Sequence, residues 1–444
     1  MGQFFGTDGI RGQANTELTP ELLLGLGRAV VRTLREEGVA RPRVTVGRDP
    51  RASGDMLGAA LEAGITSAGG DAVPLGVVPT PGVAYLTEAL GADSGAVLSA
   101  SHNPVGDNGI KFFGPSGFKL TDAEEERVEE LLQRTYEDRP TGAQIGRRLD
   151  LDDPVAPYID HLVAAAGKTR FDDLRIVVDC ANGAASVVAP EVLRRLGADV
   201  VAVHAEPDGA NINDGCGSTH PEVVAREVVA AGADVGLSHD GDADRLIAAD
   251  RHGRIIDGDA ILAILAGRLQ DEAGLRTVVT TVMTNLGFKL GMQARGIEVV
   301  ETKVGDRYVL EAMRAGGHAL GGEQSGHLIL ADYATTGDGV LAGVRLVATM
   351  VETGQPLSEL ATIMQRLPQV LVNVRGVDRD RLAEDEVLWT AVADEEAALG
   401  DTGRVLVRAS GTEPLVRVMV EAGTEERAQE AAERLAGVVA ERLG

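Results

Sequence analysis

Residues 234–245, Asp-Val-Gly-Leu-Ser-His-Asp-Gly-Asp-Ala-Asp-Arg, combine a predicted apolar strand at 234–237 with an acidic loop. Three aspartates occupy alternate positions of that loop: Asp240, Asp242 and Asp244. Gly241 permits unusual backbone angles, so the carboxylates can converge on one hard cation. An EF-hand is excluded, because Arg245 stands where that loop needs glycine. Mg²⁺ is the preferred ion, since it keeps few protein ligands, and a solvated acidic turn is the alternative.

Outward from this loop, apolar strands alternate with amphipathic helices, which is typical of α/β domains with largely parallel strands. Strands are predicted at 43–47, 71–78, 94–99, 174–179, 277–282 and 297–301. Later strands at 369–374, 404–408 and Leu415–Glu421 precede a final helix that begins at Glu425. We predict three mixed-sheet α/β domains followed by a smaller C-terminal α+β domain around a central cleft. The predicted domain bounds are 1–150, 151–254, 255–367 and 368–444.

The composition limits the classes of partner. With 444 residues, of which 44% are hydrophobic and 25% charged, the chain is long enough for three or four folded domains. The formal net charge of -26 opposes binding to nucleic acid and to anionic membranes, both of which are polyanions. Cys180 and Cys216 form no C-x-x-C motif, and the sequence contains no signal-peptide pattern or long apolar run. We therefore expect a cytoplasmic protein that binds neither nucleic acid nor membranes.

A second loop, at 99–104, also follows a predicted strand and carries Ser101 and His102. A hydroxyl at such a strand end points into the crevice where open α/β sheets bind ligands. Serine is a weak nucleophile unless a base or a metal activates it, and His102 is a neighbouring base. Lys111 follows a few residues later. Ser101 is therefore a candidate nucleophile, and a helix-capping or turn serine is the alternative.

Two further loops carry side chains suited to hydroxyl and phosphate ligands. The loop at 321–327 offers donors and acceptors between glycines: Glu323, Ser325 and His327. The loop at 408–417 offers guanidiniums, hydroxyls and a glycine: Arg408, Ser410, Gly411, Thr412 and Arg417. Backbone N–H groups and bidentate arginine contacts in such a loop can hold a phosphate. The loop at 321–327 by itself could be an ordinary polar turn. The loop at 408–417 is neither a Walker motif nor a dinucleotide fingerprint, and without the other loops it would be a weak signal.

These four loops, in this order, resemble the α-D-phosphohexomutase superfamily and, within it, the bacterial phosphoglucosamine mutases. The resemblance spans nearly the whole chain, from residues 6–12 to 408–417. It implies an isomerase, an intramolecular phosphotransferase that interconverts glucosamine 6-phosphate and glucosamine 1-phosphate. The implied route passes through a phosphoserine and glucosamine 1,6-bisphosphate and feeds UDP-N-acetylglucosamine and cell-wall precursor synthesis. The resemblance also implies a homodimer.

The resemblance implies a role for each matching residue. Ser101 matches the serine that is phosphorylated and that contributes an oxygen to the Mg²⁺ site. The other Mg²⁺ ligands are matched by Asp240, Asp242 and Asp244. Cations around the transferring phosphoryl group are matched by Arg11, Lys111 and Arg245. The sugar-binding loop is matched by Glu323, Ser325 and His327, and the clamp on the non-reacting phosphate by Arg408, Ser410, Gly411, Thr412 and Arg417.

Substrate choice depends on the loop at 303–308, which resembles that of phosphoglucosamine mutases. Relatives that handle mannose or glucose phosphates carry His where Asp306 stands, and a carboxylate there could favour a substrate ammonium. Lys303 is a further candidate contact. The alternatives are a phosphomannomutase or phosphoglucomutase of the same superfamily, or a non-catalytic sugar-phosphate binding protein, which should lack the nucleophile or the metal ligands. A haloacid-type phosphatase is disfavoured, because its D-x-D-x-T pattern would place Thr where Asp244 stands.

Overall fold

A computed structural model describes residues 4–6, 9–137, 139–410 and 415–444. The chain divides into two units, which are described separately. The first comprises Met1–Val282 and Glu298–Thr362, and the second comprises Met283–Ile297 and Ile363–Gly444. Within the described residues the first unit contains three mixed sheets, and the second contains one antiparallel sheet. The predicted fold class, three mixed-sheet α/β domains and a smaller α+β domain, is confirmed.

The first sheet has the order β1-β5-β4-β2-β3. Its strands are β1 (Ile10–Gln13), β2 (Arg43–Arg48), β3 (Asp71–Val77), β4 (Ser94–Leu98) and β5 (Asp107–Phe113). Its helices are α1 (Pro20–Glu36), α2 (Ser53–Ser67), α3 (Thr80–Ala89) and α4 (Asp122–Gln133). β2 is parallel to β3 and β4, whereas β5 is antiparallel to β4 and β1. The predicted strands at 43–47, 71–78 and 94–99 are confirmed. The sequence does not predict β1 and β5, because both contain polar residues and glycine.

Local sequence explains where the helices of this sheet begin. Thr19 precedes α1, its hydroxyl accepts a hydrogen bond from the amide of Leu22 at 3.3 Å, and Pro20 occupies the first turn. A capping box between Thr121 and Glu124 starts α4. The apolar face of α1 packs on α2 and on the sheet, and it contributes to a continuous buried core. The sheet and its helices thereby fix the strand ends that carry the site.

The second sheet has the order β10-β9-β8-β6-β7. Its elements are α5 (Ala156–Ala164), β6 (Arg175–Asp179), α6 (Ala189–Arg195), β7 (Asp199–Val203), α7 (Pro221–Ala231), β8 (Val235–Ser238), β9 (Ile247–Asp250) and β10 (Ile255–Ile256). β6 is parallel to β7 and β8, and β9 is antiparallel to β8. The loop at 239–246, called the acidic loop below, therefore connects two adjacent strands. The predicted strands at 174–179 and 234–237 are confirmed within one residue.

The third sheet has the order β12-β11-β13-β14. Its strands are β11 (Thr277–Thr281), β12 (Glu298–Thr302), β13 (Leu320–Gly322) and β14 (Leu328–Leu330). The helices in this part of the chain are α8 (Gly258–Ala273), α9 (Leu286–Ala294), α10 (Asp306–Gly316), α11 (Gly339–Thr353) and α12 (Leu357–Leu360). Of these, α9 belongs to the second unit. β13 and β14 form an antiparallel hairpin, so the loop at 323–327, called the polar loop below, is its turn.

The second unit is built on the antiparallel sheet β15-β17-β16. Its remaining elements are β15 (Gln369–Arg375), α13 (Glu386–Leu399), β16 (Arg404–Ala409), β17 (Leu415–Glu421) and α14 (Glu425–Leu443). The apolar pattern predicts these strands and the last helix, and they are confirmed. The buried carboxylate of Glu421 accepts hydrogen bonds from the amide of Leu286 at 2.8 Å and from Arg404 at 3.1 Å. It thereby fastens α9 to the small sheet.

Within the described residues, no helix combines the length and the apolar character that crossing a lipid bilayer requires.

Candidate active site

The acidic loop brings three carboxylates together after β8. One oxygen of each lies within 4.8 Å of the others, and all three residues are buried: Asp240, Asp242 and Asp244. The left-handed residue of the loop is Ala243, with φ of 57°, and its amide donates to the carbonyl of Asp240. The expectation that Gly241 supplies the unusual backbone angle is therefore wrong. Gly241 instead permits a close approach, because a Cβ there would lie 2.6 Å from the carbonyl oxygen of Ser101.

The three carboxylates leave oxygen atoms for a cation. Within the described residues, Oδ1 of Asp242 and Oδ1 of Asp244 are buried and accept no hydrogen bond. Burial, and then repulsion by neighbouring carboxylates, raises the pKa of Asp240 and of Asp242. Burial acts on Asp244 too, but a hydrogen bond from His327 holds the pKa of Asp244 below its usual value. A hard divalent cation would relieve the repulsion and satisfy the buried oxygens, so these residues fit such an ion.

Ser101 lies in the turn between β4 and β5. Its backbone is left-handed, with φ of 51°, and its side chain is buried. The Oγ atom donates a hydrogen bond to Oδ2 of Asp240 at 2.5 Å. No helix begins at Ser101 within the described part of the chain, so the helix-capping alternative does not apply. Two loops that are far apart in the sequence are therefore in direct contact here.

His102 adds a neutral base beside this hydroxyl. Its Nδ1 atom lies 3.3 Å from Oγ of Ser101. Burial, and then the positive charges of Arg245 and Arg11, lower the pKa of His102 to about 4. The imidazole is therefore neutral at pH 7, and one of its nitrogens can accept a proton.

Three predicted cations act on the acidic loop. Lys111 is buried on β5, and Arg11 lies on the neighbouring strand β1. Their charges oppose the rise in the pKa of Asp242. The Nε atom of Arg245 lies 3.7 Å from Oδ1 of Asp244. Positive charge therefore surrounds the carboxylate cluster, as expected of a site that handles an anionic group.

The polar loop contacts the acidic loop. Arg245 and His327 pair as an isolated β-bridge, and the amide of Leu246 donates to the carbonyl of Gly326 at 3.0 Å. Gly326 has φ of 90°, and a Cβ there would lie 2.2 Å from the carbonyl oxygen of Leu246. Only glycine fits this approach. The bridge explains how two loops from different sheets reach one site.

His327 uses both ring nitrogens within the chain. Nδ1 lies 3.4 Å from Oδ2 of Asp244, and the amide of Gly337 donates to Nε2 at 3.2 Å. Because Nε2 faces the amide of Gly337, Nδ1 is the ring nitrogen that can donate to Asp244. His327 thus supports a carboxylate of the acidic loop. Its predicted contact with sugar hydroxyls stays a prediction.

Glu323 connects the polar loop to the loop that precedes α10. Its Oε1 atom accepts a hydrogen bond from the amide of Gly305 at 3.1 Å, and burial raises the pKa of Glu323. Lys303 is exposed. The Oγ atom of Ser325 is buried, and it has no hydrogen-bond partner in the part of the chain that the structure describes. Ser325 therefore retains a hydroxyl that a ligand could satisfy.

Asp306 and His327 line one cavity of about 130 Å³. Three cationic side chains also line it: Lys119, Arg307 and Arg314. Arg307 forms an ion pair with Asp122 at 2.5 Å, which joins the start of α10 to the start of α4. Asp306 is half-buried in the first turn of α10. The cavity wall therefore presents three carboxylates, Asp122, Asp306 and Glu311, among these cations, close to the polar loop.

The second unit carries the loop predicted to hold phosphate. Arg408 on β16 and Arg417 on β17 are directly paired in the antiparallel ladder. Burial, and then the charge of Arg417, lowers the pKa of Arg408. Ser410 is buried, and its carbonyl accepts a hydrogen bond from Arg379 at 2.9 Å. Two predicted members lie outside the described residues: Gly411 and Thr412. An anion would relieve the repulsion between the paired guanidiniums.

Thr80 supports the acidic loop, although the sequence pattern does not suggest it. Its hydroxyl donates to Oδ2 of Asp242 at 2.6 Å, and its amide donates to the carbonyl of Asp242 at 3.0 Å. Thr80 is the first residue of α3 and precedes a proline. That context is typical of any helix start, so the sequence offers no signal for the contact with Asp242.

Comparison with known proteins places the whole chain in one family. Its four sequence models match as "Phosphoglucomutase/phosphomannomutase, alpha/beta/alpha domain I" at residues 2–139, domain II at 156–253, domain III at 257–367, and "C-terminal domain" at 371–438. Together they cover most of the chain.

Individual relatives agree with this placement. A phosphoglucosamine mutase of Mycolicibacterium vanbaalenii is 57% identical over 439 residues, which are 98% of each chain. A phosphoglucosamine mutase of Acidothermus cellulolyticus is 58% identical over 447 residues, which cover 100% of this chain and 96% of that one. The crystal structure of a phosphoglucomutase/phosphomannomutase family protein from Burkholderia thailandensis is 25% identical, covers 99% of this chain and 98% of its own, and has a TM-score of 0.83. The chain therefore belongs to the phosphoglucomutase/phosphomannomutase family.

Proposed function

We propose that this chain is a phosphoglucosamine mutase, an isomerase that interconverts glucosamine 6-phosphate and glucosamine 1-phosphate. The observation that carries the proposal is the 2.5 Å hydrogen bond from Ser101 to Asp240, inside a cluster of three buried aspartates. Phosphoryl transfer through a phosphoserine requires a serine beside a group that can hold a metal ion. The names of the relatives at 57% and 58% identity support the substrate.

In the proposed reaction, Ser101 carries a phosphoryl group on Oγ. The bond between that oxygen and phosphorus breaks as a bond forms from phosphorus to the free hydroxyl oxygen of the sugar monophosphate. The product of this step is glucosamine 1,6-bisphosphate. The bisphosphate then turns around and returns its other phosphoryl group to Ser101. The sugar leaves with its phosphate at the other position, and the phosphoserine is restored.

The cation that we propose is Mg²⁺, held by one oxygen from each carboxylate of the acidic loop and by an oxygen of phosphorylated Ser101. When bound, the ion supplies positive charge that stabilises the negative charge spread over the transferring phosphoryl oxygens. Two carboxylates are oriented for this task, Asp242 by the hydrogen bond from Thr80 and Asp244 by its pairing with the imidazole of His327. The unsatisfied oxygens of Asp242 and Asp244 support the assignment.

We propose that Lys111, Arg11 and Arg245 offset the charge of the phosphoryl group during transfer. His102 is neutral at pH 7 and lies 3.3 Å from Ser101, so it can take the hydroxyl proton when the dephosphorylated serine attacks the bisphosphate. Lys111, which is buried near the acidic loop, is the candidate to move the proton of the sugar hydroxyl.

The non-reacting phosphate is assigned, as part of the same proposal, to the loop of the second unit: Arg408, Ser410, Gly411, Thr412 and Arg417. The pairing of Arg408 with Arg417 across two strands supports this assignment. Directly paired residues of an antiparallel ladder share one face of the sheet, so the two guanidiniums can each donate to phosphate oxygens. Because the bisphosphate turns around, the loop must accept the phosphate of either end of the sugar.

The amino sugar is proposed because a carboxylate, Asp306, lines the cavity that His327 also lines. A carboxylate attracts an ammonium group, whereas a hydroxyl at the same carbon offers no charge. Lys303, Glu323 and Ser325 are the remaining candidates to contact the sugar. A phosphomannomutase or phosphoglucomutase would use the same chemistry with a different sugar. A non-catalytic binding protein is disfavoured, because Ser101 and the three aspartates are all present.

Phosphorus NMR with three parallel substrates tests the proposal. The purified protein receives Mg²⁺, a trace of the matching sugar bisphosphate, and glucosamine 6-phosphate, glucose 6-phosphate or mannose 6-phosphate. We expect a new anomeric phosphate signal to grow fastest with glucosamine 6-phosphate. Faster conversion of glucose or mannose phosphate would retain the mechanism and overturn the substrate. Inorganic phosphate as the sole product would indicate a phosphatase.

Three further expectations stay predictions: cytoplasmic location, a homodimer, and the domain bounds 1–150, 151–254, 255–367 and 368–444. Light scattering would measure the oligomeric state. Limited proteolysis, followed by mass measurement of the fragments, would test whether cleavage concentrates near residues 150, 254 and 367. Cleavage only within the predicted domains would contradict those bounds.

A further inference from the structure

A buried ion pair lies beneath the turn that carries Ser101. Asp49 and Arg51 follow β2, and their side chains are both 0% exposed. The Nε atom of Arg51 donates to Oδ2 of Asp49 at 2.9 Å, and the amide of Arg51 donates to Oδ1 at 3.0 Å. Because β2 is parallel to β4, the ends of these strands meet at one edge of the sheet. The pair is therefore beside the turn that follows β4.

The remaining N–H groups of Arg51 donate hydrogen bonds to the backbone of that turn. Nη2 donates to the carbonyl of Ser101 at 3.0 Å and to that of Asn103 at 2.8 Å. Nη1 donates to the carbonyls of Pro104 and, at 3.1 Å, Asp107. One guanidinium thus satisfies four carbonyls over seven residues of chain. Only a planar group with several fixed donors can do this from one point, and a lysine ammonium cannot.

Asp49 reaches the same turn by a second route. Its Oδ2 atom accepts a hydrogen bond from Oγ of Ser99 at 2.6 Å. The Oγ atom of Ser99 in turn accepts a hydrogen bond from the amide of Ser101 at 2.9 Å. The amide of Ser101 is held through Ser99 and its carbonyl is held by Arg51. Both ends of the residue are therefore fixed by one buried pair.

The turn requires such support because Ser101 has φ of 51°, a left-handed conformation that is unfavourable for a non-glycine residue. The carbonyl of Ser101 also accepts a hydrogen bond from Asn213 at 2.9 Å. These contacts direct the side chain, whose Oγ atom meets Asp240. If the backbone relaxed, the hydroxyl would leave that position.

We propose that Arg51 is a positioning residue for phosphoryl transfer, which holds Ser101 in line with the metal site without touching substrate. The proposal rests on the proposed role of Ser101. Since the side chain of Arg51 is 0% exposed, it is not available to the sugar or to its far phosphate. Loss of the planar fork therefore lowers kcat and leaves the KM for glucosamine 6-phosphate nearly unchanged. Misplacement of a reacting atom by about 1 Å can reduce a rate about a hundredfold.

The test compares Arg51→Lys with Arg345→Lys as a matched control. Arg345 is also buried, and it also donates to a backbone carbonyl, that of Ala165, and pairs with a carboxylate, that of Glu272. The contacts of its guanidinium, with Ala165, Glu272 and the ring of Tyr333, involve none of the site residues named above. We expect Arg51→Lys to lower kcat about a hundredfold with KM within about threefold. Arg345→Lys should keep kcat, although both variants lose thermal stability.

A second variant tests the contact that runs from Asp49 through Ser99 to Ser101, and it leaves the buried ion pair of Asp49 and Arg51 in place. Ser99→Ala deletes the hydrogen bonds to Asp49 and to the amide of Ser101, and it should lower kcat about tenfold with circular dichroism unchanged. Hydrogen exchange at residues 99–107 should rise in Arg51→Lys and in Ser99→Ala. It should stay unchanged in Arg345→Lys.

The rate at which glucosamine 1,6-bisphosphate phosphorylates Ser101, followed by intact-protein mass, separates the possible failures. Folded Arg51→Lys that is phosphorylated as fast as wild type overturns this inference alone. A fall in kcat that matches the fall in Arg345→Lys also overturns it, because a general loss of stability would then suffice. Wild-type protein that never gains phosphate on Ser101 overturns the proposed function, and this inference with it.

Discussion

Oγ of Ser101 lies 2.5 Å from Oδ2 of Asp240, although 139 positions separate the two residues in the sequence. Asp240 belongs to a group of three buried carboxylates, and the neutral imidazole of His102 lies 3.3 Å from the same Oγ atom. A hydroxyl between a carboxylate that can hold a cation and a base that can hold a proton is placed for nucleophilic attack.

Replacement of the hydroxyl should abolish turnover. We expect Ser101→Ala to lower kcat at least about a thousandfold, because the proposed phosphoryl carrier is removed. Ser67→Ala is the matched control, since Ser67 ends α2 and its hydroxyl bonds only Arg28 and the carbonyl of Gly64 among the described residues. Coupled assays with glucosamine 6-phosphate measure both variants. Substantial turnover by folded Ser101→Ala would exclude the serine and reopen an aspartate nucleophile.

Removal of one charge from the acidic loop should stabilise the metal-free protein. Burial and the neighbouring carboxylate disfavour the charged form of Asp242, so Asp242→Asn should raise the free energy of unfolding in EDTA by on the order of 1 kcal/mol. An asparagine oxygen can still accept the hydrogen bond from Thr80. Urea unfolding with and without Mg²⁺ tests this. Mg²⁺ should stabilise wild type and the surface control Asp394→Asn but not Asp242→Asn.

The opposite result has a clear meaning. If Asp242→Asn is less stable than wild type in EDTA, the aspartate is held by contacts that outweigh the repulsion. If Mg²⁺ stabilises this variant as much as wild type, Asp242 is not a ligand.

Thr80 should tune the affinity for the cation. Thr80→Val keeps the shape of the side chain but removes the hydrogen bond to Oδ2 of Asp242, and we expect Mg²⁺ to bind about 10- to 100-fold more weakly. Thr80→Ser retains the hydroxyl and should restore most of the affinity. Calorimetric titration of the metal-free proteins measures the effect. Equal Kd values for Thr80→Val and wild type would mean that the hydrogen bond from Thr80 to Asp242 does not contribute to Mg²⁺ binding.

The two thiols should be unreactive in the folded protein. Burial raises the pKa of Cys216 to about 12, and burial also raises the pKa of Cys180 well above its ordinary value. Below the pKa of an unfolded thiol the native state gains nothing from these shifts. As pH rises past about 8.5, unfolded thiolates form while the native thiols stay protonated, so stability falls.

Reaction with a disulfide reagent at pH 8 measures this protection. Native protein should consume almost no reagent over minutes, whereas protein in urea should consume one equivalent for each of the two cysteines. Rapid reaction of one native thiol would show that its environment opens readily or that its pKa is not raised.

The sequence predicts the strands and loops that local pattern controls. Buried strands such as β2, β4 and β8 have an apolar pattern that the sequence reveals. The polar residues that follow β4 and β8 indicate the position of the site. By contrast, β5 contains asparagine, glycine and a buried lysine, Lys111, so it has no apolar repeat to detect. A short or polar strand is recognised only through its neighbours in the sheet.

The supporting residues are harder to predict, because their roles depend on which strand ends meet. Arg51 follows β2, and only the order β4-β2-β3 places its guanidinium beneath the turn at Ser101. Thr80 has the sequence of an ordinary helix start. The left-handed residue of the acidic loop is Ala243, whereas Gly241 is required for the close approach of the carbonyl of Ser101. Such three-dimensional contacts leave no signal in a single sequence.

Transfer of a labelled phosphoryl group tests the central claim most directly. Protein phosphorylated on Ser101 with isotopically labelled phosphate is mixed with one equivalent of unlabelled glucosamine 6-phosphate and Mg²⁺, and the label is followed on protein and sugar. The account predicts that label leaves Ser101, appears in glucosamine 1,6-bisphosphate, and is found in glucosamine monophosphate while the protein is phosphorylated again. Label that stays on Ser101 while glucosamine 1-phosphate forms, or that leaves only as inorganic phosphate, would contradict the account.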